Sequence, residues 1–452
     1  MTDISPRRRD GLSPEKLELL RRRLGGDATA APAHQPIARC AGPGPAFPMS
    51  FAQERMWFVA QYDPASPVYN VSGAELVRAE VDVAALERAL TLSVRRHEGL
   101  RTVFRVEGGE LRQVVLPPAP VRVEVRDVRG RTAPGGVALL DRVRAVVAEE
   151  AARPFDLAEG PLMRVALLRV SNERCALVTT VHHIVADGWS FQVLGREVDE
   201  LYGHFAAGRE PVLAEPALRY ADYALWQRGW LTGAELERQV GYWRGVLAGA
   251  PALDLPTDRP RPAQQSFRGH LHGFALSREL VAALRRVGRQ EAASLNMVIL
   301  AGFAALLAAW AGQSDLVIGT ILANRNRAEL EGVLGFFANT AALRLGLAGA
   351  PSFRQAVRAA RRAVLDADAH QELPFEKLVE ELGVERDPSR HPLFQVLYFH
   401  HATVASHDGV AGGMGALLGS EALSQASPLA AIDTGSARFD LMAATLEMPT
   451  AT

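Results

Sequence analysis

Residues 175–190 of the chain are "CALVTTVHHIVADGWS". Its first part is apolar and β-branched, which is typical of a buried strand, and the preceding "RVALLRV" predicts a partner strand across the turn "SNER". His182 and His183 stand at the end of this strand, and Asp187 and Gly188 follow shortly after them. Two adjacent imidazoles followed by an acid and a glycine make this end of the strand a candidate site.

The histidine pair does not have the spacing of a metal site. Adjacent side chains on a strand point to opposite faces, so both imidazoles cannot bind one ion from a regular strand. Helical ligands would be spaced i, i+4, and no cysteine cluster accompanies the pair. A metal site is therefore disfavoured. We expect His182 to be a buried, hydrogen-bonded core residue, and we expect His183 to face a cleft.

The residues after the pair suggest how a reaction would be supported. Asp187 is expected to orient an imidazole or to pair with a distant arginine, which would shape the loop without transferring a proton. Gly188 permits a substrate to approach the backbone, and its N–H group can donate to a developing oxyanion. Because no serine or cysteine nucleophile is placed beside His183, we expect direct transfer between two bound substrates without a covalent enzyme intermediate.

Composition excludes several classes of protein. The chain has 452 residues, of which 48% are apolar, so two or three domains with a large buried core are expected. A net charge of -1 provides no basic field for nucleic acid. The longest uncharged stretch, 297–312, is shorter than the roughly 18–20 apolar residues of a membrane helix, so it predicts a buried core helix and no membrane contact. Two cysteines and the absence of a signal peptide favour a reducing, cytoplasmic location.

Three regions follow one another along the chain. Residues 1–45 combine a short helix, predicted from Ser13 to Leu24, with a linker rich in proline, alanine and glycine. Globular patterning begins near Phe47, with an amphipathic helix predicted from about Val83 to Arg96 and a strand after it. The proline-rich segment 249–265 is a candidate crossing between two halves of mixed helices and strands. This pattern favours an α/β or α+β fold with two lobes.

Several motifs together resemble a known family. "HHIVADGWS" is similar to the HHxxxDG motif of nonribosomal peptide synthetase condensation domains and their chloramphenicol-acetyltransferase-like relatives. The further motifs occur in the order of that family, and the resemblance covers about residues 48–441. These motifs are "SFAQERMWF" (50–58), "RRHEGLRTVF" (95–104), "YADYALWQ" (220–227), "IGTILANR" (318–325), "GFFANTAALR" (335–344) and "HQELPFEKLVEEL" (370–382).

The resemblance implies an architecture. The expected fold class is α/β (α+β), with two chloramphenicol-acetyltransferase-like lobes arranged as a V-shaped pseudodimer around a central tunnel. Residues 46–215 would form the N-terminal lobe with the histidine motif, and residues 216–452 the C-terminal lobe. Members of the family continue after "FDL" (439–441) with a strand, a turn and a helix. Because this chain stops at Thr452, we expect either a fragment or a member with an unusual end, whose missing strand would leave a sheet edge unpaired.

The resemblance also implies a reaction. Donor and acceptor carrier domains would deliver substrates on phosphopantetheine arms, and the amine of an aminoacyl thioester would attack a donor acyl thioester without ATP. The chain itself would bind no cofactor, would be a monomer, and would have an adenylation domain as its neighbour. Since a free α-amine has a pKa of about 8, it needs orientation more than activation. We expect His183 to position the amine and to accept its proton; positioning alone is the open alternative.

The remaining motif residues receive supporting roles. Arg325 is the first candidate to form an ion pair with Asp187, and Arg101 is the second. Trp189 and Ser190 are expected to shape the tunnel wall. Four other motif residues, together with Arg101, are expected to be scaffold, and they are Arg55, Trp57, Arg96 and His97. Asn339 is a candidate to face the tunnel and to hydrogen-bond an acyl or amine group.

Other interpretations of the same motifs differ in subtype or in class. Cyclisation domains have an Asp-based motif in place of the double histidine, and epimerisation domains differ after the glycine, where Trp189 stands here. The opening motifs most resemble the subtype that joins two L-residues, with a starter domain for fatty-acyl donors as an alternative. A freestanding acyltransferase that uses acyl-coenzyme A is a different enzyme class. A non-enzymatic recruitment domain is a further alternative, against which the intact histidine motif argues.

Overall fold

A computed structural model describes residues 36–40, 46–77, 81–129, 139–172, 174–349, 352–384, 387–401, 420–421 and 437–447. The chain divides into Met1–Ala38, of which residues 36–38 are described, and Arg39–Thr452, which contains every element below. The helix predicted from Ser13 to Leu24 lies outside the described residues.

Helices and strands alternate through the described part of the chain. Its ten α-helices are α1 (Phe51–Tyr62), α2 (Val83–Arg96), α3 (Leu139–Ala152), α4 (Gly188–Ala206), α5 (Tyr220–Trp230), α6 (Gly233–Leu247), α7 (Arg278–Gln290), α8 (Leu295–Ala311), α9 (Phe353–Asp368) and α10 (Phe375–Leu382). Its twelve strands are β1 (Ala46–Pro48), β2 (Asn70–Val77), β3 (Thr102–Glu107), β4 (Glu110–Val115), β5 (Val123–Asp127), β6 (Met163–Arg169), β7 (Cys175–His182), β8 (Asp315–Leu322), β9 (Asn339–Gly346), β10 (Val396–His401), β11 (Ser420–Glu421) and β12 (Leu441–Leu446). The helix predicted from about Val83 to Arg96 is therefore α2, with those bounds.

The histidine stretch ends the central strand of a five-stranded sheet. The strand order is β11-β2-β7-β6-β5, and β7 runs antiparallel to both β2 and β6. The predicted strand pair is β6 and β7, in which Arg169 lies opposite Cys175. A smaller sheet of β1, β4 and β3 lies in the same half of the chain.

Both faces of β7 are covered, which explains its nearly continuous apolar sequence. Every residue of the strand after its first is buried. Ala176 and Val178 pack in one cluster with Val143 and Val147 of α3. The alternate residues, such as Leu177, lie in a second cluster with side chains of α2 and α4. Because β7 is packed on both faces, the position of the histidines at its end is fixed.

A second, four-stranded sheet forms in the other half, in the order β12-β10-β8-β9. Its strand β8 coincides with the predicted "DLVIGTIL". The apolar stretch 297–312 lies in α8 up to Ala311, and Val298 and Ala301 of this helix are fully buried. The strand expected to be missing after residue 441 is present. It is β12, which pairs in parallel with β10 from Leu441 to Leu446. The expected gap in the sheet is therefore wrong for residues 441–446, where the segment "LMAATL" pairs along the edge of β10. The expectation of a fragment or an unusual end stays a prediction.

Elements from both halves of the chain are in contact. Strand β11 pairs with β2 in the first sheet, so that Ser420 lies opposite Val77. Arg55 of α1 forms an ion pair with Glu376 of α10. The lobe boundaries predicted at 45/46 and 215/216 stay predictions. Among the described helices, none alone is long and apolar enough to cross a membrane, and α7 with α8 meets those criteria only as a pair bent by 103°.

Candidate active site

His182 is the last residue of β7, and it is buried. Its Nδ1 accepts a hydrogen bond from the backbone N–H of Ile184 at 3.2 Å. The rings of Tyr69 and Phe155 lie 6.1 and 6.2 Å from its ring. Burial lowers the pKa of His182 to about 3, so the ring is neutral. His182 therefore supports the local backbone and is not accessible to a substrate.

His183 begins the turn after β7 and is partly exposed. Its backbone N–H donates to the carbonyl oxygen of Tyr69 at 2.8 Å. Its Nδ1 lies 2.6 Å from the carbonyl oxygen of Ala186. Because a carbonyl oxygen can only accept, Nδ1 carries the hydrogen, and the neutral ring keeps a free lone pair on Nε2. Burial lowers the pKa of His183, and the bond to Ala186 raises it. Because burial is the larger effect, the neutral form of the ring is favoured.

Residues from three of the quoted motifs form a chain of contacts that ends on the His183 ring. Phe336 packs edge-to-face on this ring, with centroids 4.8 Å apart. The hydroxyl of Tyr220 donates to the carbonyl oxygen of Phe336 at 2.6 Å, and Ser50 Oγ lies 2.8 Å from the same hydroxyl. Burial raises the pKa of Tyr220 well above its ordinary value, so this donor keeps its proton. Ser50, Tyr220 and Phe336 are functional neighbours that sequence reasoning missed, although each lies inside a quoted motif.

The ion pair predicted between Asp187 and Arg325 is present and buried. Asp187 caps α4 by accepting the backbone N–H of Ser190 at 2.8 Å. Arg325 Nη2 lies 3.1 Å from Asp187 Oδ1, and the two side chains are 1% and 3% exposed. Asp187 Oδ2 accepts the backbone N–H of Phe337 at 3.0 Å, and Arg325 Nη1 donates to two carbonyl oxygens of the 330–333 loop. The pair thus joins the start of α4 to the segments around 325–337.

The three residues that begin α4 have different surroundings. Ser190 is buried, and its hydroxyl lies 2.8 Å from Asp187 Oδ1, so it supports the ion pair and does not line a wall. Trp189 is partly exposed and donates from Nε1 to the carbonyl oxygen of Glu331 at 2.8 Å. Gly188 is exposed, and a Cβ added there would meet nothing within 4 Å. The backbone at the start of α4 is therefore open to a ligand.

Two other candidates are engaged elsewhere. Asn339 donates from Nδ2 to the carbonyl oxygens of Gln371 and Leu373 at 2.8 and 2.7 Å. Its Oδ1 accepts two backbone N–H groups. These bonds tie β9 to the segment before α10 and disfavour the predicted contact with a substrate. Arg101, the second candidate partner for the aspartate, lies 3.5 Å from the carboxylate of Glu98 instead.

The residues expected to be scaffold form contacts of that kind. Arg96 Nη1 and His97 Nε2 both bond to Glu197 Oε2, at 2.5 and 2.8 Å. His97 is buried. These contacts attach the end of α2 to α4, the helix that begins at Gly188. Within the described ranges, no group of three or more histidine, cysteine, aspartate or glutamate side chains comes together as metal ligands would.

A cation beside the histidines was also missed. The guanidinium of Arg438 lies over the ring of Tyr69, 4.8 Å from its centroid, and donates to the carbonyl oxygen of Val68. Its charge contributes to the lowered pKa values of both His182 and His183. The sequence signal was a basic residue directly before "FDL" (439–441), in a segment to which no motif assigned a role.

Comparison with known proteins places these features in a family. The condensation-domain profile matches residues 46–404. A linear gramicidin synthase polypeptide of Brevibacillus parabrevis is 46% identical over 352 residues, which are 78% of this chain and 4% of that protein. Phosphinothricin tripeptide synthetase PhsC of Streptomyces viridochromogenes is 42% identical over 394 residues, which are 86% of this chain and 35% of that protein. The chain therefore spans only a minor part of the length of these relatives.

Solved structures share the fold. The X-domain from teicoplanin biosynthesis superposes with a TM-score of 0.73 at 31% identity, covering 86% of this chain and 83% of that one. The first condensation domain of the CDA synthetase gives a TM-score of 0.65 at 24% identity, over 79% of this chain and 82% of that one. The predicted fold class is thereby confirmed. With the family profile matching most of its length and these relatives sharing its sequence, the chain belongs to the condensation-domain family.

Proposed function

We propose that this chain forms amide bonds between two carrier-bound thioesters, as the peptide-bond-forming domain of a nonribosomal peptide synthetase. The observation that carries the proposal is the 2.6 Å contact between His183 Nδ1 and the carbonyl oxygen of Ala186. The carbonyl oxygen of Ala186 keeps the hydrogen on Nδ1, which leaves Nε2 free to accept a proton. The names of the relatives, a linear gramicidin synthase and a tripeptide synthetase, support a peptide product.

The proposed step transfers an acyl group in two stages. The neutral amine of the acceptor attacks the carbonyl carbon of the donor thioester, a C–N bond forms, and the carbonyl electrons move to oxygen. His183 Nε2 takes a proton from the amine nitrogen. The oxygen electrons then return, the C–S bond breaks, and the donor thiolate leaves and receives the proton from the imidazolium. The exposed backbone at Gly188 is the proposed hydrogen-bond donor to the transient oxyanion.

The expected rate enhancements indicate that His183 accounts for a limited but measurable part of the acceleration. With a pKa of about 8, the amine is partly neutral at pH 7 without help. A positioned base contributes about 10²–10⁴ in rate, and orientation of two bound substrates contributes more. The proposal therefore needs His183 held in one orientation, which the Ala186 bond and the Phe336 ring supply.

Partners and subtype are part of the same proposal. Donor and acceptor carrier domains bring the substrates on phosphopantetheine arms, the chain binds no cofactor of its own, and an adenylation domain is its neighbour. The opening motifs favour donors and acceptors that are both L-residues. A starter domain with a fatty-acyl donor and a freestanding acyltransferase are the alternatives within enzymes.

One comparison supports a second, non-enzymatic candidate. The X-domain of teicoplanin biosynthesis, 32% identical to this chain, was solved as a complex with OxyB. Recruitment of another protein is therefore a function that this fold can perform. Against that function here stand the accessible His183 and the complete Asp187–Arg325 pair, which recruitment alone does not require.

The test uses two carrier domains, one loaded with an L-aminoacyl donor and the other with an L-aminoacyl acceptor. They are mixed with the wild type, with His183→Ala, and with His272→Ala, a matched control at an exposed histidine. Mass spectrometry of the acceptor carrier should show a dipeptidyl adduct with the wild type and the control, and little with His183→Ala. An equal adduct with His183→Ala contradicts the role of this residue. Parallel reactions with a fatty-acyl carrier and with acyl-coenzyme A distinguish the two enzyme alternatives.

A further inference from the structure

A short chain of contacts connects Arg438 to the histidine pair. The guanidinium covers the ring of Tyr69 and bonds to the carbonyl oxygen of Val68. The carbonyl oxygen of Tyr69 accepts the backbone N–H of His183 at 2.8 Å. The Tyr69 ring lies 6.1 Å from the ring of His182. Arg438, near the C-terminal end of the described chain, therefore contacts the Val68–Tyr69 segment. This segment is in turn hydrogen-bonded to the turn after β7.

The backbone that carries Arg438 is itself anchored. Gln265 donates from Nε2 to the carbonyl oxygen of Arg438 at 2.8 Å. Asp440 forms an ion pair with Arg261, with Nη1 and Oδ1 3.0 Å apart. These contacts attach both sides of the residue to the proline-rich crossing 249–265. The guanidinium is thus held in place by its own segment as well as by Tyr69.

The charge of Arg438 is not balanced by a nearby carboxylate. Within the described ranges Arg438 forms no ion pair, whereas Arg55 is neutralised by Glu376. The negative charge of Asp187 is shared with Arg325. The charged and titratable groups around His183 are Asp187, His182 and Arg438, and Arg55 lies near Tyr69 and Arg438. On the opposite side, the ring of Phe336 carries no charge.

We infer that Arg438 is a positioning residue for the reaction: it holds the Val68–Tyr69 segment, whose Tyr69 carbonyl oxygen accepts the backbone N–H of His183, and it places an exposed positive charge on the Tyr69 side of the histidine pair. This inference rests on the proposed function, in which the neutral imidazole accepts the proton of the amine. Burial lowers the pKa of His183, and the charge of Arg438 acts in the same direction. Burial and this charge both favour the neutral imidazole, the form that accepts the proton.

The test follows the titration of His183 in two ways. One is the lower of the two breaks in the acidic limb of the pH profile for single-turnover amide formation, which lies below the titration of the acceptor amine near pH 8. The other is the NMR titration of the ¹³C-labelled histidine resonance that His183→Ala removes. Arg438→Gln should move both midpoints upward by about 0.5–1 pH unit, the size expected of one partly screened charge. Arg438→Lys keeps the charge and should leave both near the wild-type values.

Two further variants make the test decisive. Arg285→Gln removes an arginine that pairs with Glu447 and is not among the groups around His183, so neither midpoint should move. Tyr69→Leu removes the ring beneath the guanidinium and should shift the titration in the same direction as Arg438→Gln; it replaces that variant if Arg438→Gln does not fold. A rate loss that is equal at every pH, with an unchanged His183 titration, would overturn the inference. No product from the wild type contradicts the proposed function instead, and the NMR titration still tests Arg438.

Discussion

Removing the charge of Asp187 should destabilise the junction between the two halves of the chain. Asp187→Asn keeps the size of the side chain but puts an NH₂ group where one carboxylate oxygen stood. That group faces either the backbone N–H of Phe337 or the guanidinium of Arg325, both of which are donors. Because both side chains of the pair are nearly inaccessible to water, solvent cannot compensate. Breaking a buried pair of this kind costs about 3–5 kcal/mol.

A double-mutant cycle measures the interaction itself. Arg325→Met removes the guanidinium and retains an apolar stem, and it leaves Asp187 with the donors of Ser190 and Phe337 alone. Unfolding in urea at pH 7.5, followed by circular dichroism, gives the free energy of unfolding for the wild type, both single variants and the double variant. We expect the double variant to lose about 2 kcal/mol less than the sum of the single losses, since residues in one buried network are coupled.

An exposed ion pair provides the control. Arg285 and Glu447 form such a pair, with side chains 50% and 30% exposed. Arg285→Gln, which leaves the contact between Glu447 and His400 in place, should cost no more than about 1 kcal/mol. Additive losses in the Asp187–Arg325 cycle, or losses no larger than that of the control, would refute the reasoning that the buried pair joins the two halves.

Three further outcomes follow from the site. The pKa of His182 falls from 6.5 to about 3 on folding, so at acidic pH the folded protein binds fewer protons than the unfolded chain and stability is lost as the pH falls toward 3. His182→Gln should remove about 1.6 kcal/mol of the loss between pH 6.5 and 5, measured by unfolding in urea at both pH values. Gly335→Ala puts a Cβ 1.8 Å from Tyr220 Cδ2 and should cost about 3 kcal/mol in the same unfolding assay. Asn339→Ala should cost about 2 kcal/mol through its lost backbone bonds while KM for the acceptor substrate stays unchanged; a raised KM at unchanged stability would instead indicate a substrate contact.

Local pattern and motif order predicted much of this molecule. The strand pair β6–β7, the helix α2 and the strand β8 all follow from apolar periodicity, which acts over a few residues. The partnership of Asp187 with Arg325 followed from the resemblance, because the order of the family's motifs relates positions that are far apart in the chain.

The misses have a common physical origin, since each depends on contacts between segments distant in sequence. Asn339 was expected to face a substrate, but its amide is used by the backbone of residues 371–375. Ser190 was expected on a wall, and the start of α4 turns it inward toward Asp187. Arg438 lies in no quoted motif, and only its contact with Tyr69 reveals its place.

The central claim is that His183 Nε2 takes the proton of the attacking amine. The most direct measurement is the single-turnover rate of amide formation, as a function of pH, for the wild type and His183→Ala. We expect the wild-type rate to reach a plateau once both His183 and the amine, whose pKa is about 8, are neutral. For the variant we expect a rate about 10²–10⁴ lower that loses the break due to His183 and keeps rising with pH as the free amine and hydroxide increase. Equal rates with the same pH dependence would contradict the claim and reduce His183 to a residue that only shapes the site.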